Sequence, residues 1–172
     1  MNRKLEKSVK QWLSIFLAII AYYIVHEGMH LLIALLLGVF EKVRIIGLIG
    51  IQIVTTENSL SGVNLAIFSG LSSIVTVLIG YILVFSKSIY KIKNKNVLTA
   101  VYYVTLCFLM LDPLYISILA PYVGGGDLNG ITTGLAISGT PIRIIAGIML
   151  IINFMIFKKT MHPKITGMFK EK

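Results

Sequence analysis

The chain is short of charge, and above all of acid. Only 13% of its 172 residues are charged, and seven are aspartate or glutamate against sixteen lysines and arginines. Soluble globular domains carry about a quarter of their residues as charge, so the composition argues against one. Cysteine is nearly missing: Cys107 stands alone, which excludes an intrachain disulfide, and its apolar surroundings make it a small buried hydrophobe. No internal repeat, low-complexity tract or shift of composition marks a second domain. The net charge of +9 is not gathered into one patch with interleaved aromatics, so nucleic acid is not an expected partner. The basic residues stand at the ends of apolar runs, where they act as topology signals.

What the chain does have is hydrophobic length. It is 56% hydrophobic with a mean hydropathy of +0.88, the composition of an integral membrane protein. Residues 1–10 are polar and carry Arg3, Lys4, Lys7 and Lys10. Residues 11–39 form a first span, long enough at about 1.5 Å per residue to cross a hydrocarbon core of about 30 Å. A basic start before an apolar run also describes a signal peptide, but this run is too long and no small-residue cleavage site follows, so it is expected to be retained. Residues 40–59 include Ile45, Ile46, Gly47, Leu48, Ile49, Gly50, Ile51, Gln52, Ile53 and Val54. That stretch is too short to cross and rich in β-branched residues, which predicts one or two strands at the membrane face, with an interfacial loop as the alternative.

A second span covers 64–85 and leads into a basic loop with Lys87, Lys91, Lys93 and Lys95. A third covers 97–121 and holds a buried acid, Asp112, followed by Pro113. The run Gly124 to Gly130 is too glycine-dense for a regular helix and predicts unwound backbone. A fourth span begins near Ile131 or Pro141 and ends at Phe157, with Arg143 near its outer end and Lys158, Lys159, Lys164, Lys170 and Lys172 in the tail. The basic residues cluster at both termini and in the loop after span two, which puts both ends in the cytoplasm. The expected fold is an all-α integral membrane protein: one domain over 1–172, about four transmembrane helices, a short membrane-face β segment and a Gly-rich helix break.

Histidine is scarce as well, with three in all, yet two of them stand four residues apart in the first span with a glutamate beside them: His26, Glu27, Gly28, Met29, His30. Positions i and i+4 share one face of a helix, so both imidazoles can aim at one metal ion while Glu27 handles a proton. A glutamate deep in a bilayer costs about 2.5 to 3.5 kcal/mol, an expense that a metal site in a water-lined pocket explains. Imidazole plus carboxylate ligation makes zinc the first guess. Such a site takes three protein ligands and leaves a position open. His162 lies in the basic tail, where it is expected to be solvated, which leaves Asp112 and Asp127 as third ligands. Asp112 and His26 lie at matching depths in their spans, and Asp127 reaches the same place if its glycine-rich segment folds back. Ser69, Gly70, Leu71, Ser72 and Ser73 form a small-residue patch suited to close helix packing, with Ser72, Ser73 and Asn129 available to line a water path. Arg143 is expected to snorkel to headgroups, with contact to substrate or an oxyanion as the alternative. Tyr22, Tyr23 and Met110 are expected in packing or interfacial roles.

The embedded H-E-x-x-H, the small-residue patch in the next span and the Pro/Gly-rich break carrying an aspartate together resemble the site-2 protease family of intramembrane zinc metalloproteases. The resemblance runs from span one through Gly130. Its G-P-x-x-N-like element is matched at Gly70 only, and the stretch from Ser117 through Pro121 to Gly126, Asp127, Leu128, Asn129 and Gly130 departs from N-x-x-P and L-D-G by lacking the asparagine and displacing the glycine. The resemblance implies a minimal member that hydrolyses peptide bonds of membrane-associated or transmembrane substrates at the cell membrane. In it His26, His30 and Asp127 hold Zn²⁺ and Glu27 is the catalytic base; Asp112 is either the alternative ligand or a residue that orients a histidine. A strand edge beside such a site would pair with an extended substrate segment. The reading from another class is a non-proteolytic metal-binding membrane protein or transporter subunit, and Glu27, needed only for chemistry, separates the two. Oligomeric state is left open.

Overall fold

The computed structural model describes residues 3–46, 50–124 and 126–170. The first helix, α1, covers Arg3–Leu36. It contains no proline and only Gly28 among glycines, so nothing interrupts it until Gly38, whose left-handed φ of +68° ends the run. Two antiparallel strands follow, β1 at Phe40–Ile46 and β2 at Gly50–Thr55, with Arg44 opposite Gln52 and Ile45 opposite Ile51. Ile53 turns inward and is buried, which seats β2 against α1. The expected β segment is therefore a hairpin; Gly47, Leu48 and Ile49 of the stretch lie outside the described residues.

Helix α2 (Gly62–Phe85) returns through the bundle, and a 3-10 turn at Ile89–Lys91 leads to α3 (Lys95–Leu114). Asn94 caps α3, its side-chain oxygen accepting the N–H groups of Asn96 and Val97. Pro113, inside α3, cannot donate to the carbonyl of Leu109 four residues back. Helix α6 (Gly139–Ile156) makes good the loss: the fully buried Asn153 donates its Nδ2 to Leu109 O at 2.6 Å and accepts the Tyr81 hydroxyl of α2 at 2.5 Å. Three helices are thus tied at one polar point in an apolar interior. Asn153→Leu strands the Leu109 carbonyl and the Tyr81 hydroxyl, and is expected to cost about 1–2 kcal/mol. Unfolding in a titration of mixed micelles with a denaturing detergent should show the lowered midpoint.

Past Pro113 the helix widens into a π turn at Tyr115–Leu119, then continues as α4 (Ala120–Val123). The Ser117 hydroxyl donates to Pro113 O at 2.5 Å, and the half-buried Arg143 donates its Nε to Ser117 O at 3.2 Å. Arg143 therefore satisfies backbone that the π turn frees.

The glycine run departs from the expectation. Backbone is left-handed at Gly124, with φ +98°, and Gly125 lies outside the described residues, but helix resumes at once as α5 (Gly126–Leu135). Packing overrides propensity here. A Cβ on Gly130 would strike the Ser69 side chain, and one on Gly134 would meet Gly62 O at 2.5 Å and Ala66 N at 2.6 Å. Glycine lets α5 lie directly on α2, and that close contact offsets the entropic cost of glycine in a helix. At ten residues and about 1.5 Å each, α5 reaches only about half the hydrocarbon thickness.

Of the two proposed starts for the fourth span, the one near Pro141 matches: Ser138 caps α6, and Ile131 belongs to α5. The span does not stop at Phe157, because a π turn at Phe157–Met161 carries it into α7 (His162–Lys170). Met161 and Ile165, four residues apart, are buried among Val84, Ile89 and Leu98, so the tail is a docked helix. Among the described residues, four helical stretches are long and apolar enough to cross a membrane: Ser8–Leu36, Gly62–Phe85, Lys95–Val123 and Gly139–Met168. Their outward faces carry exposed apolar side chains such as Trp12, Ile24, Ile82 and Ile145. This is an all-α membrane protein with one small sheet.

Candidate metal centre

Helix α1 presents His26 and His30 one turn apart on the face that packs against α2 and α3, and both are buried. Asp127, in the first turn of α5, reaches the same point from the other side. His26 Nε2 lies 3.1 Å from Asp127 Oδ2 and 3.3 Å from His30 Nε2, and His30 Nε2 lies 3.4 Å from Asp127 Oδ1. Two ring nitrogens and a carboxylate facing one point suit a cation. The spacing fits as well: zinc bonds of about 2.0–2.1 Å to tetrahedral ligands imply ligand–ligand edges of about 3.3–3.4 Å. Ser72, fully buried on α2, places its Oγ 3.2 Å from His30 Nε2. These three residues form a possible metal-binding triad, with Asp127 as its third member.

Asp112 lies beside this triad in a different position. Its Oδ1 accepts the Tyr22 hydroxyl at 2.6 Å and the Ser73 hydroxyl at 3.1 Å, and stands 3.1 Å from His26 Nδ1; its Oδ2 accepts the Thr76 hydroxyl. A carboxylate has about four acceptor positions, and four donors surround this one. These contacts turn Asp112 toward Nδ1 of His26, and it stands outside the group formed by His26, His30 and Asp127. The matching depths of His26 and Asp112 place them together, yet through the ring nitrogen turned away from the triad.

Glu27 is half-buried and lines a cavity of about 880 Å³ that also takes in His26, His30 and Asp127. Among the described residues no hydrogen bond or ion pair holds its carboxylate, so it is free to act on what occupies the cavity. Gln52 and Ile51 of β2, Phe68 of α2 and Tyr115 of the π turn supply further wall, so β2 borders the same cavity as the candidate triad.

Several polar residues do not stand where the sequence suggests. Tyr22, expected in packing, is a buried hydrogen-bond donor to Asp112 and also lies 3.3 Å from His26 Nδ1. The signal was present, since Tyr22 precedes His26 by four residues and shares its face. Ser69, Ser72, Ser73 and Thr76 form a buried stripe on α2, one residue longer than the small-residue patch suggests. Asn129 does not line the cavity; it is exposed and donates its Nδ2 to Gly124 O at 3.1 Å, closing the turn before α5. His162 is exposed at the far end, paired with the Tyr102 hydroxyl at 2.8 Å. Tyr23 borders the cavity, while Met110 packs into the core and Cys107 is a half-buried free thiol.

Compared with family models, curated proteins and solved structures, the chain gives no significant match. The functional reading therefore rests on the residues and their geometry.

Proposed function

We propose that the protein is an intramembrane zinc metalloprotease of the site-2 protease type, acting on peptide bonds of membrane-associated or transmembrane substrates. The observation that carries this reading is the convergence of His26, His30 and Asp127 within one cavity whose wall also holds an unengaged glutamate, Glu27. A purely structural or cargo metal site needs the three ligands but has no use for that fourth group. When bound, zinc supplies a Lewis acid that makes water nucleophilic near neutral pH and polarises a carbonyl. Glu27 accepts the proton of the attacking water and returns it to the departing amine nitrogen, so one water is consumed and the two product termini balance. His26 and His30 serve as neutral imidazoles through their Nε2 atoms, and Asp127 as a carboxylate.

The substrate segment lies extended along β2. A peptide bond inside a helix has its carbonyl hydrogen-bonded and its faces covered, so it must unwind before water can attack it. An unpaired strand edge bordering the cavity gives the unwound segment backbone partners. The basic termini and the basic loop between α2 and α3 orient the chain with both ends in the cytoplasm, and the cell membrane is the proposed site of action.

The test joins metal content to cleavage. Wild-type protein in detergent is expected to hold about one zinc and to cleave a labelled transmembrane peptide; chelation should abolish cleavage and added zinc restore it, and His26→Ala/His30→Ala should hold none. Absence of zinc from the wild type sinks the reading. Zinc without cleavage across a panel of membrane peptides favours the non-proteolytic metal-binding alternative.

A further inference from the structure

We propose that Asp112 is the positioning residue of the metal centre: it holds the hydrogen of His26 on Nδ1 and so presents the Nε2 lone pair to the metal. This rests on the metal-centre reading above and adds to it the group that organises the ligands. A neutral imidazole carries one hydrogen and one lone pair, and which nitrogen has which is decided by the partner of the other. His26 Nδ1 faces Asp112 Oδ1 at 3.1 Å, and that carboxylate can only accept. Asp127 Oδ2 lies equally close to Nε2 and also can only accept, so the choice is made when the metal takes Nε2: the one remaining hydrogen then sits on Nδ1, and Asp112 is the group that receives it.

Asp112 can do this because it is itself immobilised. It is 1% exposed, and its other donors are Tyr22 from α1 and Ser73 and Thr76 from α2, while the residue itself stands on α3. Three spans therefore fix one carboxylate, and that carboxylate fixes one imidazole ring. His30 has no such backing: its Nδ1 is buried without a hydrogen-bond partner among the described residues, and its ring leans on Phe68 with centroids 4.9 Å apart. The two histidines are thus unequal. His26 is the anchored ligand, and the preorganisation of the centre is concentrated in Asp112.

Asp112→Asn keeps the volume but replaces an acceptor-only group with one that can also offer an amide N–H to Nδ1, which favours the wrong tautomer of His26. The experiment is a titration of metal-stripped protein in detergent micelles with Co²⁺, read by visible absorption, with helix content and monodispersity checked in parallel. Asp112→Asn is expected to weaken Co²⁺ binding about 10–100-fold. At saturation it should give the wild-type absorption band, because the ligand set is unchanged; Asp127→Asn should alter that band. In Zn²⁺-loaded wild type, ¹⁵N spectra of the histidines should show His26 bound through Nε2 with its hydrogen on Nδ1.

Binding within about twofold of wild type by folded Asp112→Asn, or a Zn²⁺-loaded wild-type His26 with its hydrogen on Nε2, overturns the proposal. An altered saturated band also overturns it, by making Asp112 a ligand. If Asp112→Asn does not fold, Tyr22→Phe decides, since it removes only one hydroxyl from Asp112 Oδ1: a several-fold loss of Co²⁺ affinity supports the proposal and an unchanged affinity overturns it. A wild type that binds no Co²⁺ overturns the metal-centre reading itself, a failure separate from wild-type binding that Asp112→Asn leaves untouched.

Discussion

Glu27→Gln is expected to lower the rate of peptide cleavage by a factor of about 10² to 10⁴ while leaving one metal ion per chain in place. The amide is nearly the size of the carboxylate, and no hydrogen bond or ion pair among the described residues depends on Glu27, so the substitution disturbs neither α1 nor the ligands. What disappears is the ability to take a proton from water and pass it on. Zinc content by elemental analysis, set beside cleavage of a labelled transmembrane peptide, measures both halves in one preparation. Loss of metal in this variant would make Glu27 a ligand or a structural support, and undiminished cleavage would remove it from the reaction.

The second large effect is expected at a place that never touches the metal. Gly130 and Gly134 are what allow α5 to lie on α2, and α5 carries Asp127. Gly130→Ala sets a methyl group against the Ser69 side chain, and overpacking of this kind costs about 1–3 kcal/mol when the neighbours cannot yield. Relief comes by moving α5 outward, which draws Asp127 away from His26 and His30. Metal affinity and thermal stability should therefore fall together. Because the nearest atoms belong to one side chain, Ser69→Gly in the same protein should restore both. Gly134→Ala should be as damaging without such a rescue, since Gly62 O and Ala66 N are backbone and no single substitution removes them. Metal titration and unfolding of Gly130→Ala, the Gly130→Ala/Ser69→Gly pair and Gly134→Ala check the scheme. Unchanged metal affinity in Gly130→Ala would show that α5 does not set the position of Asp127.

These two variants mark where the chain could be read directly and where it could not. The H-E-x-x-H spacing is local, and helix geometry alone brings His26 and His30 to one face, so that much of the site was legible without a fold. Four spans followed from hydropathy, and one or two strands, with a loop as the alternative, from β-branched residues in a run too short to cross. Asp127 and Asp112 were both candidates from the residues and only resemblance preferred Asp127, while Asp112 was placed at the depth of His26 but left open in role. Its role depends on the Tyr22, Ser73 and Thr76 hydroxyls, which lie 90, 39 and 36 residues away along the chain, and no local pattern announces them. The run from Gly126 to Gly130 was misjudged for a related reason. Glycine disfavours helix in isolation, yet here its lack of a side chain is what the partner helix requires. Tyr22 and the stretch from Met161 to Ile165 did carry a signal, a four-residue spacing, which their neighbours hid: a second tyrosine in one case and a crowd of lysines in the other.

The shortness of α5 bears on how the protein is made. His26 and Asp127 are separated by 101 residues, and between them the ribosome must deliver two further membrane-crossing helices before the half-length one that carries Asp127 begins. Until that last element docks on α2, the nascent chain holds two imidazoles without the third member of the candidate triad. The centre is therefore finished late in synthesis, after the second, third and fifth helices are in register with the first, and a chain that misassembles at any of these contacts has no complete place for a metal.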